Sequence, residues 1–123
     1  MRSTVLAFLL ALSLAGPAFG RDDDVRVRGS CGTGAESQLR LRAQDGAIRV
    51  EFRVDSERSR QRWRVALVHE RRVVWRGRVR THSDGSFRVR RSLPDFEGAD
   101  EVSVRASGRG GNTCQAGATL TGP

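Results

Sequence analysis

The sequence has no lysine and no tyrosine, one methionine, three prolines, two histidines and two cysteines. Each shortage narrows the reading. Two histidines, His69 and His82, without clustered carboxylates argue against a metal site, and no cofactor is expected. Two cysteines, Cys31 and Cys114, allow one disulfide at most. Beyond residue 20 no apolar run is long enough to span a bilayer, which takes about 20 residues as a helix. Nowhere does the apolar pattern hold a helical period. With lysine absent, all 22 basic residues are arginine against 14 acids, a formal net charge of +8. So one-sided a choice resembles the codon bias of a GC-rich bacterial genome, and it weakens any argument that each arginine was selected for chemistry.

What is present begins with a leader. Arg2 supplies a positive start, Thr4 to Ala15 an apolar run, and Pro17 a break. Ala18-Phe19-Gly20 then sets small residues at −3 and −1 of a signal-peptidase site. The expectation is a signal peptide over residues 1–20, cut after Gly20 (Ala18 being the alternative), and a single domain over 21–123. No cysteine follows the cut that could carry a lipid anchor. Export to the extracellular space, periplasm or cell envelope implies an oxidising compartment, so Cys31 and Cys114 are expected to pair. Closing a loop of about 80 residues stabilises by about 4–5 kcal/mol in the chain-entropy model. Free thiols and a metal pair are the alternatives, and two cysteines with no nearby histidine make a poor zinc site.

Period-two alternation dominates the rest, one apolar face and one wet face per segment. Val25 and Val27, Leu39 and Leu41, Ile48 to Val54, Trp63 to Leu67, Val73 to Val79, Phe87 and Val89, and Val102 to Ala106 alternate with charged or polar neighbours. Thr113 to Leu120 is a weaker last segment. Gly32-Thr33-Gly34, Asp45-Gly46, Ser56 to Gln61, His69 to Arg72, Ser83-Asp84-Gly85, Pro94 to Gly98 and Gly108 to Asn112 fall between them as turns. The fold expected is all-β, an antiparallel two-sheet sandwich of seven or eight short strands. Parity sharpens one hairpin. Trp63, Val65 and Leu67 should share a face with Val73, Trp75 and Val79, all odd-numbered. A plain two-residue loop at Glu70-Arg71 would set Val65 against Arg76, so the hairpin needs an odd loop or a bulge.

Gly29-Ser30-Cys31-Gly32, Trp63-Arg64-Val65, Gly85-Ser86-Phe87 and Thr113-Cys114 resemble small exported proteins of high-GC bacteria with an immunoglobulin-like or fibronectin-III-like sandwich. The likeness spans about residues 24–120 and rests on short motifs. It implies the fold and carries over no catalytic or binding residue. One departure stands out. In immunoglobulin domains the cysteines join inner strands across the core, whereas here they would tie the first strand to the last.

No catalytic constellation emerges, and a non-enzymatic role is expected. His82-Ser83-Asp84 holds the letters of a hydrolase triad, but adjacent residues on a turn cannot place nucleophile, base and orienter in series. Glu51 with Asp55, and Asp95 with Glu97, are the candidate carboxylate pairs. The first lies among arginines, where ion pairing is the simpler reading, and the second sits in a loop. Gly108-Arg109-Gly110-Gly111 reads as a turn, with an anion-binding nest as the alternative. His69 continues an inward face at a strand end, where capping suits it better than ligation.

The arginines remain. Arg58, Arg60, Arg62, Arg64, Arg71, Arg72, Arg76, Arg78 and Arg80 face a single acid, Glu70, within that stretch. Either allowed register sets arginine against arginine, a destabilising arrangement of some tenths to about 1 kcal/mol per pair. Acids on neighbouring strands, salt or an anionic partner should offset it. Two functions follow as expectations. One is a non-catalytic extracellular or envelope module binding a protein partner or serving structure. The other is an electrostatic binder of nucleic acid, teichoic acid or acidic polysaccharide through Arg62, Arg64, Arg76, Arg78 and Arg80. Trp63 and Trp75 are expected to point inward, which argues against base stacking on that face.

Overall fold

The computed structural model describes residues 24–32 and 34–121. The expected leader and its cleavage site lie outside the described residues. Nine strand segments follow one another: β1 (Asp24–Arg28), β2 (Ser30–Cys31), β3 (Glu36–Gln44), β4 (Ala47–Asp55), β5 (Arg62–His69), β6 (Arg72–Arg80), β7 (Ser86–Pro94), β8 (Asp100–Gly108) and β9 (Thr113–Leu120). A single 3₁₀ turn at Arg109–Gly111 joins the last two. Among the described residues no helix is long and apolar enough to cross a membrane. The strands form two antiparallel sheets packed face to face, in the orders β1-β3-β4-β7 and β2-β9-β8-β5-β6. This is the sandwich that the alternation predicts. β1 and β2 form one path that changes sheet at Gly29, so the nine segments make eight strand paths. A Cβ at Gly29 would lie 2.7 Å from the Gln115 carbonyl oxygen, and only glycine fits the change of sheet.

The residues expected to face inward are those that build the core. Leu39, Leu41, Ile48, Val50, Phe52 and Val54 of the first sheet meet Trp63, Val65, Leu67, Val102, Val104 and Ala106 of the second, all buried. Phe87 sits between the sheets, its ring 5.5 Å from Trp63 and 6.3 Å from Phe52. Cys31 and Cys114 stand opposite each other in register and are bonded, which ties the first strand path to the last within one sheet.

Two of the passages from sheet to sheet, residues 56–61 and 81–85, lock onto each other. The Thr81 hydroxyl donates to the Arg58 carbonyl (2.7 Å) and accepts from the Gln61 amide (2.8 Å). The Ser56 hydroxyl and amide both donate to the Gly85 carbonyl at 2.9 Å. Ser56 and Thr81 are buried, so these bonds satisfy groups that water cannot reach.

The β5–β6 hairpin resolves its parity conflict with a bulge. The turn is two residues, Glu70 and Arg71, both at positive φ (53° and 70°) as a type I′ turn requires. His69 pairs with Arg72 and Val68 with Val73. The register then shifts, and Leu67 pairs with Trp75, so Val74 has no partner of its own. Beyond that point Trp63 faces Val79 and the odd-numbered set shares the inner face. Val73 is the exception to the expectation. It lies on the turn side of the bulge, opposite Val68, and is 47% exposed. Trp75 is half-buried at the sheet margin, with the Arg91 guanidinium 4.3 Å above its ring. β6 and β7 are the margins of their sheets, so this stack closes the sandwich along one side.

Candidate anion-binding face

Strand alternation leaves each sheet a solvent-facing side, and the two sides are built differently. On the four-stranded sheet, acids interrupt the arginines. Asp24 accepts two bonds from Arg40, at 2.7 and 3.0 Å. Glu51 lies within 3.3 Å of Arg88 and 3.2 Å of Arg90. Arg40, Glu51 and Arg90 stand directly opposite one another across β3, β4 and β7. The Arg40 guanidinium holds the Asp24 carboxyl below its usual range, and Asp24 in turn raises Arg40.

On the five-stranded sheet no acid interrupts the arginines that β5 and β6 set against one another. Arg62 stands opposite Arg80 and Arg64 opposite Arg78. Ala66 has Arg76 on one side and Arg105, from β8, on the other. All six arginines are exposed, and none forms an ion pair among the described residues. The five predicted from the sequence are thus gathered on one surface. Arg105 is the sixth, missed because β8 follows β5 by more than thirty residues and only the sheet order makes them neighbours. Its signal was present, since Arg105 alternates with Val104 and Ala106 as Arg64 does with Trp63 and Val65. Of the three offsets the sequence left open, acids on the neighbouring strand do not reach the ladder: β8 sets Ser107 beside Arg64 and Arg105 beside Ala66, and its one outward acid, Glu101, lies beyond Ser103 and forms no ion pair with an arginine among the described residues.

The small side chain of Ala66 forms the floor of an open groove of about 880 Å³ that Arg64, Arg76, Arg78, Arg105 and Gln115 surround. Strands lie about 4.8 Å apart, and alternate residues of one strand about 6.7 Å apart. The guanidinium roots therefore form a lattice at these spacings, each able to chelate an oxyanion with two parallel N–H bonds. Among the described residues no aromatic ring shares this surface: Trp63 is buried and Trp75 turns to the sheet margin.

The other sequence candidates do not assemble. Asp84 Oδ1 accepts from the Ser86 hydroxyl (2.7 Å) and amide (3.0 Å), which hold its carboxyl below the usual range. It therefore closes its own turn and does not orient His82. Glu51 is engaged by Arg88 and Arg90, and Asp55 accepts from the Glu57 amide. The Gly108–Gly111 segment forms the 3₁₀ turn, closed by the Gly108 amide on the Asn112 carbonyl. His69 departs from the capping expectation. It is buried and bonded through Nε2 to Asp100 at 2.8 Å, with the Phe96 ring stacked parallel on it at 4.8 Å. Asp100 was not singled out, although it continues the inward face of Val102 and Val104 as His69 continues that of Leu67. A polar residue at an inward position needs a partner, but the sequence does not say that β5 and β8 are adjacent.

Among the described residues, fold and surface together define a disulfide-tied β-sandwich with a ladder of arginines on one sheet face. No protein-family model matches the chain, nor does any curated protein or any solved structure.

Proposed function

We propose that the chain is an exported, non-catalytic binding module that holds an extended anionic polymer on the outer face of its five-stranded sheet. The observation that carries this reading is the ladder of unpaired arginines, Arg62 against Arg80 and Arg64 against Arg78, extended by Arg76 and Arg105. Like charges directly opposite destabilise a sheet, and among the described residues no acid forms an ion pair with these arginines. An anionic polymer would, by bridging neighbouring guanidinium groups and releasing its own counterions. With no exposed ring on this face among the described residues, a ligand recognised by its charged backbone rather than by stacked bases is favoured, which suits an envelope polymer such as teichoic acid or an acidic polysaccharide. Export is supported by the leader-like start of the sequence and by the Cys31–Cys114 bond, which persists in an oxidising compartment.

Retention on phosphocellulose or heparin across a salt series tests the reading. Arg76→Gln with Arg78→Gln should elute at distinctly lower salt than the parent. Arg88→Gln with Arg90→Gln, which removes the same charge from the other face, should elute near the parent. Elution of the parent at low salt, or equal losses from both double variants, would refute a specific face.

A further inference from the structure

At the far end of the β5–β6 hairpin from the Arg62–Arg80 pair lies a cluster of opposite character. His69 closes β5, Glu70 opens the turn, and Asp100 begins β8. One donor atom from each lies within 4.8 Å of the others. His69 and Asp100 have side chains only 2% and 1% exposed. Asp100 Oδ1 accepts from the Phe96 amide at 3.3 Å and pairs with His69 Nε2, while its Oδ2 has no hydrogen-bond partner. Glu70 reaches solvent and spends only Oε1, on the Glu101 amide at 3.1 Å.

A buried carboxylate oxygen without a partner is destabilising, because it has given up water and gained nothing in return. A second carboxylate beside it adds repulsion. In a chain with 22 basic residues, arginine is the ordinary remedy. Yet no arginine forms an ion pair with Glu70 or Asp100 among the described residues. Among the described residues the basic group paired with Asp100 is an imidazole, which is also a metal ligand through the nitrogen it turns toward the carboxylates. We infer that His69, Glu70 and Asp100 bind a divalent transition-metal ion of the zinc type.

One nitrogen and two carboxylate oxygens are a donor set that zinc accepts at about 2.0–2.2 Å. Three protein ligands leave a coordination position for water or an external group on the Glu70 side, the side open to solvent. The ion would neutralise both carboxylates, engage the free Asp100 oxygen, and fix Glu70 in a turn where its positive φ is otherwise unfavourable. Phe96, stacked on the imidazole, shields the other side. This site is independent of the anion-binding face and stands or falls without it.

The test uses the whole mature protein, stripped with EDTA and titrated with Zn²⁺ by calorimetry, with thermal melts in parallel. The expected result is one ion per chain and a rise in Tm that EDTA reverses. Glu70→Gln keeps the oxygen that accepts from the Glu101 amide but loses the ligand charge. It should weaken Zn²⁺ binding by about tenfold or more and leave the metal-free Tm unchanged. His82→Gln, at the other histidine, should bind as the parent does. The inference is overturned if no saturable uptake occurs up to about 1 mM Zn²⁺, if Glu70→Gln binds as tightly as the parent, or if Ca²⁺ binds equally well. In those cases His69 and Asp100 serve only to fasten the loop that carries Phe96.

Discussion

The two sheets share a composition and differ in how far they obey the rules of sheet construction. The four-stranded sheet obeys them more closely. Its β3–β4 hairpin turns on Asp45-Gly46, both at positive φ, the preferred pair for a type I′ turn. Arg42 stands opposite Arg49 and Arg53 opposite Arg88, but Arg26, Arg40, Arg88 and Arg90 each lie within 4 Å of Asp24 or Glu51. The five-stranded sheet breaks the same rules at four places: a type I′ turn made of Glu70-Arg71, a bulge at Val74, an unrelieved arginine ladder and a buried carboxylate with a free oxygen. Local rules are broken mainly where function needs it. The contrast is what the proposed anion-binding face and the proposed metal site both draw on.

The largest effect expected concerns the strand path the sheets divide between them. The five-stranded sheet holds only Ser30 and Cys31 of it, whereas the other pairs all of Asp24–Arg28. Removing the disulfide by Cys31→Ser with Cys114→Ser should lower stability to urea by about 2–5 kcal/mol. Amide exchange should rise more in β2 and β9 than in β1 and β3. Equal rises would show that the bond does not act on one sheet in particular.

Next in size is the turn. Replacing Glu70-Arg71 by Asn-Gly, the residues that favour positive φ, should stabilise the protein by about 1–2 kcal/mol. The same exchange at Asp45-Gly46 should change little. No gain at the β5–β6 turn in metal-free protein would mean that Glu70 and Arg71 sit there without strain.

Smaller still is the ladder. Arg78→Glu sets a carboxylate against Arg64 and should raise the stability of the free protein by about 0.5–1 kcal/mol, while lowering retention on a polyanion column. A stabilised variant that binds less well is the signature of a surface kept for a ligand. A destabilised one would return the ladder to codon bias.

The smallest effect is that of pH. Asp24 is held below the usual carboxylate range, chiefly by its hydrogen bond to Arg40, and Asp84 chiefly by the Ser86 hydroxyl. A carboxyl depressed in the folded state adds stability that is complete above about pH 4 and is lost as pH falls through the folded value. Arg40→Gln should therefore flatten the acid limb of the stability curve, read from urea midpoints between about pH 2 and 5. An unchanged limb would show that the acids of the four-stranded sheet do not contribute to folding.

Much of this was legible along the chain because a strand writes its two faces into alternate residues. That is why the core, the turns at Asp45-Gly46 and Ser83-Asp84-Gly85, and the arginines of β5 and β6 could be read before any coordinates. Parity even demanded an irregularity between Leu67 and Trp75. It could not choose between a longer loop and a bulge, because both restore the register, and so Val73 was assigned to the wrong face. Arg105 and the His69–Asp100 pair escaped for a different reason. Each depends on β8 lying beside β5, a pairing across more than thirty residues that no local pattern records.

The sequence by itself determined that the chain folds into extended segments with an apolar and an arginine-bearing side, since side-chain alternation is a property of the strand alone. Only the tertiary structure decided which arginines find an acid and which face one another, and which buried polar groups meet. Those outcomes depend on the order of strands in each sheet, and that order is set by packing between residues far apart in the chain.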